Sequence, residues 1–169
     1  MKAITIWQPW ASLLACGAKR YETRSWATSY RGPIVIHAAK KSIVNILRDL
    51  PQKNIDIMEL ALSSVPGTSR YAANDLLGLP LGCVIATAEL VGCHKIHARY
   101  SDNQPCIHIT PFEANMQEIA ITGDELLFGD WAPGRYAWEF TNMQTLSEPI
   151  PAKGKQRLWE WEGDICLPQ

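Results

Sequence analysis

The sequence predicts an α+β fold: a small β-barrel, mixed but mostly antiparallel, with flanking α-helices packed outside it. Three observations carry this expectation. Strand-like runs occur at both ends of the chain. Helical periodicity is concentrated in the first half and in the intervening segments. The two do not alternate in the regular order that builds a doubly wound parallel sheet. The 169 residues suit one domain with a core of its own. With 47% hydrophobic and 20% charged residues, the composition is globular rather than disordered, so elements can be sought along the whole chain.

The elements follow in order. Residues 3–7 (AITIW) read as a short first strand. Pro9 stands where a helix can begin, because its missing N–H costs nothing at the first helical position. That helix runs through Trp10, Leu13 and Leu14 and stops at Gly17, a natural left-handed cap. Residues 20–24 (RYETR) are extended, and 34–39 (IVIHAA) form a more apolar, central strand. Ile43, Ile46, Leu47 and Leu50 repeat at helical spacing, with Ser42 as N-cap and Pro51 beyond the end. Residues 55–63 and 69–77 read as helical. Gly82–Val91 is a long β-branched strand, 92–105 is polar and turn-like, and 112–120 reads as a helix. The last third supplies strands at 135–141, 143–147 and 157–162. No linker, repeat or low-complexity tract interrupts them.

Several function classes are excluded or disfavoured. No apolar run approaches the roughly 18–20 residues of a membrane span. The start, MKAITIWQPW, has no apolar h-region or small-residue cleavage site, so no secretory signal is expected. Five cysteines, an odd number with no C-x-x-C pair, are expected to stay reduced in a cytoplasmic setting. P-loop, dinucleotide-binding, serine-hydrolase and zincin motifs are absent, and no cofactor is expected.

The net charge of -1 argues against a protein basic over its whole surface, but the total hides an asymmetry. Residues 1–53 carry nine positive and two negative side chains, residues 54–148 four positive and twelve negative, and the remainder three of each. Such a distribution can mark contact with a polyanion, or the segments can interleave in space and neutralise one another. Lys40 and Lys41 precede the Ser42 helix and are candidates for phosphate contact.

Other constellations compete with purely structural roles. Cys93, His94 and His97, with Cys106 and His108, offer zinc-type ligands but match no standard knuckle spacing, so no metal is assigned. Cys16 and His37 are a formal nucleophile and base, although a cysteine in an apolar helix is ordinarily just buried. Most of the seven tryptophans belong to core packing. Trp10 and Trp26 flank the charged turn and are the better candidates for ligand contact.

The strongest constellation is Gly17-Ala18-Lys19-Arg20-Tyr21-Glu22-Thr23-Arg24. In an extended segment Arg20, Glu22 and Arg24 project to one side. Glu22 and Arg24 can then pair, leaving part of the guanidinium fork for a phosphate or nucleobase. Lys19 reaches the same space from the turn. Together they can supply a proton acceptor, a polariser and an anion clamp. The same residues equally describe an edge strand with a surface ion pair.

The stretch WQPWASLLACGAKRYETRSW resembles the signature of the ASCH family, G-x-K-x-x-E-x-R, here Gly17, Lys19, Glu22 and Arg24. The segments IVIHAAK (34–40) and GRYAWEF (134–140) are similar to family members, and the ending EPIPAKGKQRLWEW (148–161) resembles the short stand-alone bacterial and phage forms. The resemblance implies a single PUA-like domain over 1–169, with insert-like segments near 50–80 and 95–125. It implies a ligand cleft lined by the motif, with RNA or a nucleoside or nucleotide as partner and no membrane. Its ligand-binding candidates are Trp10, Lys19, Glu22, Arg24, Trp26, His37, Lys40 and Lys41. Some members look like a ribonuclease or an amidohydrolase that deacylates acetylcytidine, in which case Lys19 and Glu22 are the catalytic candidates. The amidohydrolase uses a Lys, a Thr three places on, and a distant Glu. Lys19 matches the Lys, but Glu22 stands in the Thr position and Thr23 faces the other way in a strand. Glu113 and Glu118 are the candidates for the distant Glu.

Overall fold

A computed structural model describes residues 1–64, 76–97, 106–111 and 118–165. Among them lie, in chain order, β1 (Lys2–Ile6), α1 (Trp10–Ala15), β2 (Tyr21–Arg24), β3 (Gly32–Ala38), α2 (Ile43–Arg48), α3 (Gln52–Ser63), β4 (Cys83–His97), β5 (Ile107–Pro111), β6 (Ile119–Ile121), β7 (Tyr136–Pro151) and β8 (Leu158–Glu160). Short 3-10 turns occupy Leu76–Gly78 and Gly123–Phe128. The strand order is β2-β7-β4-β3-β1-β8, with β5 paired to β4 and β6 to β5. β1 and β3 run parallel, whereas β8 on β1, β2 on β7, β5 on β4 and β6 on β5 are antiparallel. This mixed, mostly antiparallel sheet with flanking helices is the PUA-like fold class expected from the sequence.

The chain divides into two compact units. The first comprises Met1–Ala18, Pro33–Ala88 and Asn142–Gln169, the second Lys19–Gly32 and Glu89–Thr141. In the first, β3 is covered on both faces: Ile34, Val35 and Ile36 are all fully buried, as a central strand requires. Ala3, Val35, Val84, Leu146, Trp159 and Trp161 form one core cluster there. In the second, Tyr21, Ile96, Ile109, Ile121, Trp131 and Ala137 form another.

Four expectations change. The segment 92–97 continues β4 instead of turning, because Gly92, Cys93, His94 and Ile96 are all buried. The strands expected at 135–141 and 143–147 are one strand, β7; Asn142 adopts φ 49°, a left-handed conformation that asparagine tolerates, so the strand passes through it without ending. Residues 119 and 120, expected at the end of a helix, belong instead to β6 against β5; of the rest of that expected helix, 112–117 lie outside the described residues. Of the helix expected at 69–77, residues up to 75 lie outside the described residues and Leu76 opens a 3-10 turn. The first helix behaves as read: it ends before Gly17, whose φ of +80° suits glycine. No described helix is long and apolar enough to cross a membrane.

Candidate functional site

The signature strand β2 lies in the second unit and alternates as a half-buried strand must. Tyr21 and Thr23 are buried, Glu22 and Arg24 partly exposed. Tyr21 meets the Trp131 and His94 rings edge-on, with centroids 6.2 and 6.1 Å away. The Thr23 hydroxyl accepts a hydrogen bond of 3.0 Å from the Asp130 N–H. Those contacts fix the strand's orientation and leave Glu22 and Arg24 on its other face. There Glu22 Oε1 lies 3.2 Å from Arg24 Nε, the pairing that period-two spacing predicts.

Lys19 opens this unit and is 1% exposed. Its Nζ donates to the Phe128 carbonyl at 2.7 Å, with Glu22 Oε2 at 3.8 Å and Glu125 Oε1 at 4.0 Å. An ammonium taken out of water needs such partners. They do not fully compensate: burial pulls the Lys19 pKa below its ordinary value, Glu22 and Glu125 oppose this, and Arg24 reinforces it. Glu125 is tied down in turn, accepting from the backbone N–H groups of Arg20 (2.9 Å) and Tyr21 (3.2 Å). Sequence reasoning missed Glu125, whose only mark is its place in an acidic stretch. Of the acids it did consider, Glu118 pairs with His108 Nδ1 at 3.3 Å, and Glu113 lies outside the described residues.

A second polar network supports β2 from its partner strand. Glu139 stands opposite Tyr21 on β7. One carboxylate oxygen is 2.8 Å from His94 Nε2 and the other accepts from the Arg20 guanidinium. The His94 hydrogen bond, with Arg20 adding to it, holds the Glu139 carboxyl below its ordinary value against the opposing effect of burial. Gly92 lies so close that a Cβ there would sit 2.8 Å from His94 Cε1 and 2.9 Å from Glu139 Oε2.

The structure thus brings Lys19, Glu22 and Arg24 together and adds Glu125. Trp26, in the same unit, packs edge-on against Trp138 with centroids 4.6 Å apart, and its carbonyl accepts the Trp138 indole N–H. Trp10, His37, Lys40 and Lys41 belong to the first unit. Trp10 is half-buried at the start of α1. His37 is 1% exposed, and its Nε2 lies 3.0 Å from the Ala152 carbonyl. Lys40 and Lys41 are exposed, with Lys41 Nζ 3.1 Å from the centroid of the Trp7 ring.

The cysteine and histidine constellations resolve into local contacts. Cys93 accepts a hydrogen bond from the Thr28 N–H at 3.5 Å, and burial pushes its thiol up. Cys16 donates to the Leu13 carbonyl and is likewise pushed up by burial, which disfavours a thiolate. Cys106 Sγ is 3.6 Å from His108 Nε2. Among the described residues no three His, Cys, Asp or Glu side chains are placed to hold a metal ion.

Comparison with known proteins bears on this arrangement. The family model described as the ASCH domain matches residues 4–150. Activating signal cointegrator 1 of Mus musculus is 26% identical over 162 residues, covering 96% of this chain and 22% of the relative. The Homo sapiens protein of the same name gives the same identity and coverage. The chain therefore spans less than a quarter of the length of these relatives.

Proposed function

This chain belongs to the ASCH domain family, and from that premise we propose that it binds a single-stranded RNA segment or a nucleotide at the Lys19–Glu22–Arg24 face of β2. The observation supporting this is the buried Lys19 ammonium anchored on the Phe128 carbonyl. It sits within 3.8 Å of one Glu22 oxygen while Arg24 stands 3.2 Å from the other. Glu22 is thereby fixed as an acceptor and Arg24 as a donor fork, side by side and partly open to water. A nucleobase edge offers the complementary pattern: amine and ring N–H groups for a carboxylate, ring nitrogen and carbonyl oxygen for a guanidinium. Lys19 is covered and acts as a positioning residue. Trp26 borders the motif in sequence; Lys40 and Lys41 belong to the first unit and are proposed as phosphate contacts there, apart from the β2 face. On this reading the whole chain is one ASCH unit with inserts near 50–80 and 95–125, working in the cytoplasm.

The test is titration of nucleosides and short unstructured RNAs into the wild type and a Lys19→Ala/Arg24→Ala variant. Binding that weakens with salt, as phosphate contacts release counterions, and that is lost in the variant is expected. A variant that binds like the wild type overturns the proposal.

A second reading has its own support. The lowered proton affinity of Lys19, beside two carboxylates, suits a proton-transfer group. We propose it as the alternative: a hydrolase on an acylated nucleoside or on RNA, with Lys19 and Glu22 moving the proton. Unchanged turnover of both substrates in Lys19→Ala eliminates it.

A further inference from the structure

We propose that Trp7 and the lysines around it form a second contact for single-stranded RNA, wholly within the first unit. One nucleobase stacks on the indole, and neighbouring phosphates are taken by Lys40, Lys41, Lys153 and Lys155. The inference rests on the RNA reading above. It adds the aromatic platform that lysines alone lack.

The placement follows from strand pairing. β1 and β3 run parallel with Ile6 beside Ala38, and the Ala39 N–H donates to the Ile6 carbonyl at 2.8 Å. The residues just past the two strand ends therefore emerge side by side: Trp7 from one, Lys40 and Lys41 from the other. Trp7 is 49% exposed, unusual for the largest side chain, which is highly buried on average. It is nevertheless held, because the Lys41 ammonium lies against its ring at 3.1 Å from the centroid. Lys40 is held too. Its stem runs over Gly82, at φ +66°, where a Cβ would come within 3.3 Å of Lys40 Cβ.

Two further cations arrive on a separate segment. Gly154 packs onto the Thr5–His37 pair so tightly that a Cβ would sit 2.9 Å from Thr5 Oγ1 and 2.7 Å from His37 Nδ1. His37 also contacts the Ala152 carbonyl at 3.0 Å. The segment bearing Lys153 and Lys155 is thus pinned across β1 at Thr5, two residues before Trp7. This gives buried His37 a positioning role. Both lysines are exposed. Among the described residues no carboxylate pairs with any of the four lysines. The surface therefore combines four lysines, none paired with a carboxylate among the described residues, with a half-exposed Trp7 whose ring carries Lys41 on one side and leaves the other for a base; Lys155 Nζ also lies 5.8 Å from the Trp159 ring centroid. A nucleic acid strand complements both, with phosphates for the cations and a flat base for the ring.

The experiment is fluorescence anisotropy of a labelled, unstructured RNA of about 12 nucleotides with the full chain, across a salt series. Trp7→Ala is expected to weaken binding about five-fold or more and to leave the salt dependence unchanged. Trp7→Phe, which keeps a ring face, retains most of the affinity and controls for misfolding. Lys40→Gln/Lys41→Gln is expected to flatten the slope of log K against log salt by about 0.7 for each phosphate no longer neutralised. The Lys19→Ala/Arg24→Ala variant is measured alongside. If it binds normally while Trp7→Ala is weak, the β2 site falls and this platform stands. If Trp7→Ala binds like the wild type, the platform is overturned whatever the other variant does. A wild type that binds no RNA overturns both.

Discussion

Glu139→Gln isolates the support under the signature strand. Glu139 is 9% exposed and faces Tyr21 across the β2–β7 ladder. Its 2.8 Å contact with His94 is buried, and a hydrogen bond to a charged group of this kind contributes about 1.5–3 kcal/mol. The Arg20 partner has 59% of its side chain in solvent, so that pair adds about 0–1 kcal/mol. Glutamine keeps the shape and one hydrogen bond worth about 1 kcal/mol, so the loss at neutral pH should be about 1–3 kcal/mol. For a chain of this size that lowers the melting temperature by roughly 2–12 °C. The sign of the pH effect follows from the direction of the shift. Glu139 in the folded chain titrates below its ordinary 4.5, so its contribution is complete above 4.5 and is lost as pH falls through the folded value. The gap between wild type and variant, read from melts at pH 7 and at stepwise lower pH, should close as pH falls below 4.5. A gap under about 0.5 kcal/mol at pH 7, or one that survives full protonation, refutes the assignment.

Lys19 predicts the complementary behaviour. Its folded pKa is depressed below 10.5, so wild-type stability relative to Lys19→Met should rise with pH up to 10.5 in urea titrations. A flat difference contradicts burial of the ammonium. Gly154→Ala should cost about 1–3 kcal/mol by overpacking Thr5 and His37, checked by thermal denaturation. Arg24→Lys keeps the charge but loses the planar fork, and should weaken RNA binding about ten-fold with little change in stability.

The parts of the fold legible in sequence are those with local signals. Pro9 and Gly17 bracket α1, and the apolar run at 34–36 marks a strand covered on both sides. The end of β4 is hidden because GCHKIH looks polar. Its burial comes from distant partners, Glu139 for His94 and Ile109 for Ile96. The site divides in the same way. The Glu22–Arg24 pair follows from period-two spacing alone. The acceptor that buries Lys19 lies 109 residues away, and Glu125 shares that distant 3-10 turn, so no local pattern could announce either. Nothing local marks Trp7 as open either, since strand tryptophans are ordinarily core. Its exposure depends on where β1 stops.

The pairing of β1 with β8 bears on how the chain is made. The ammonium of Met1 donates to the Trp161 carbonyl at 2.8 Å, and Trp161 returns a bond of 2.9 Å to the Met1 carbonyl. β1 is thus completed on one edge by β8, whose residues lie more than 150 positions further along the chain. At about 5–20 residues per second, one edge of β1 stays open for roughly ten to thirty seconds of synthesis, longer than small domains usually need to fold. Open strand edges invite pairing with other chains. Nascent chains crowded on one message therefore face their greatest risk of misassembly before residue 158 emerges, and a truncation short of it makes that exposure permanent.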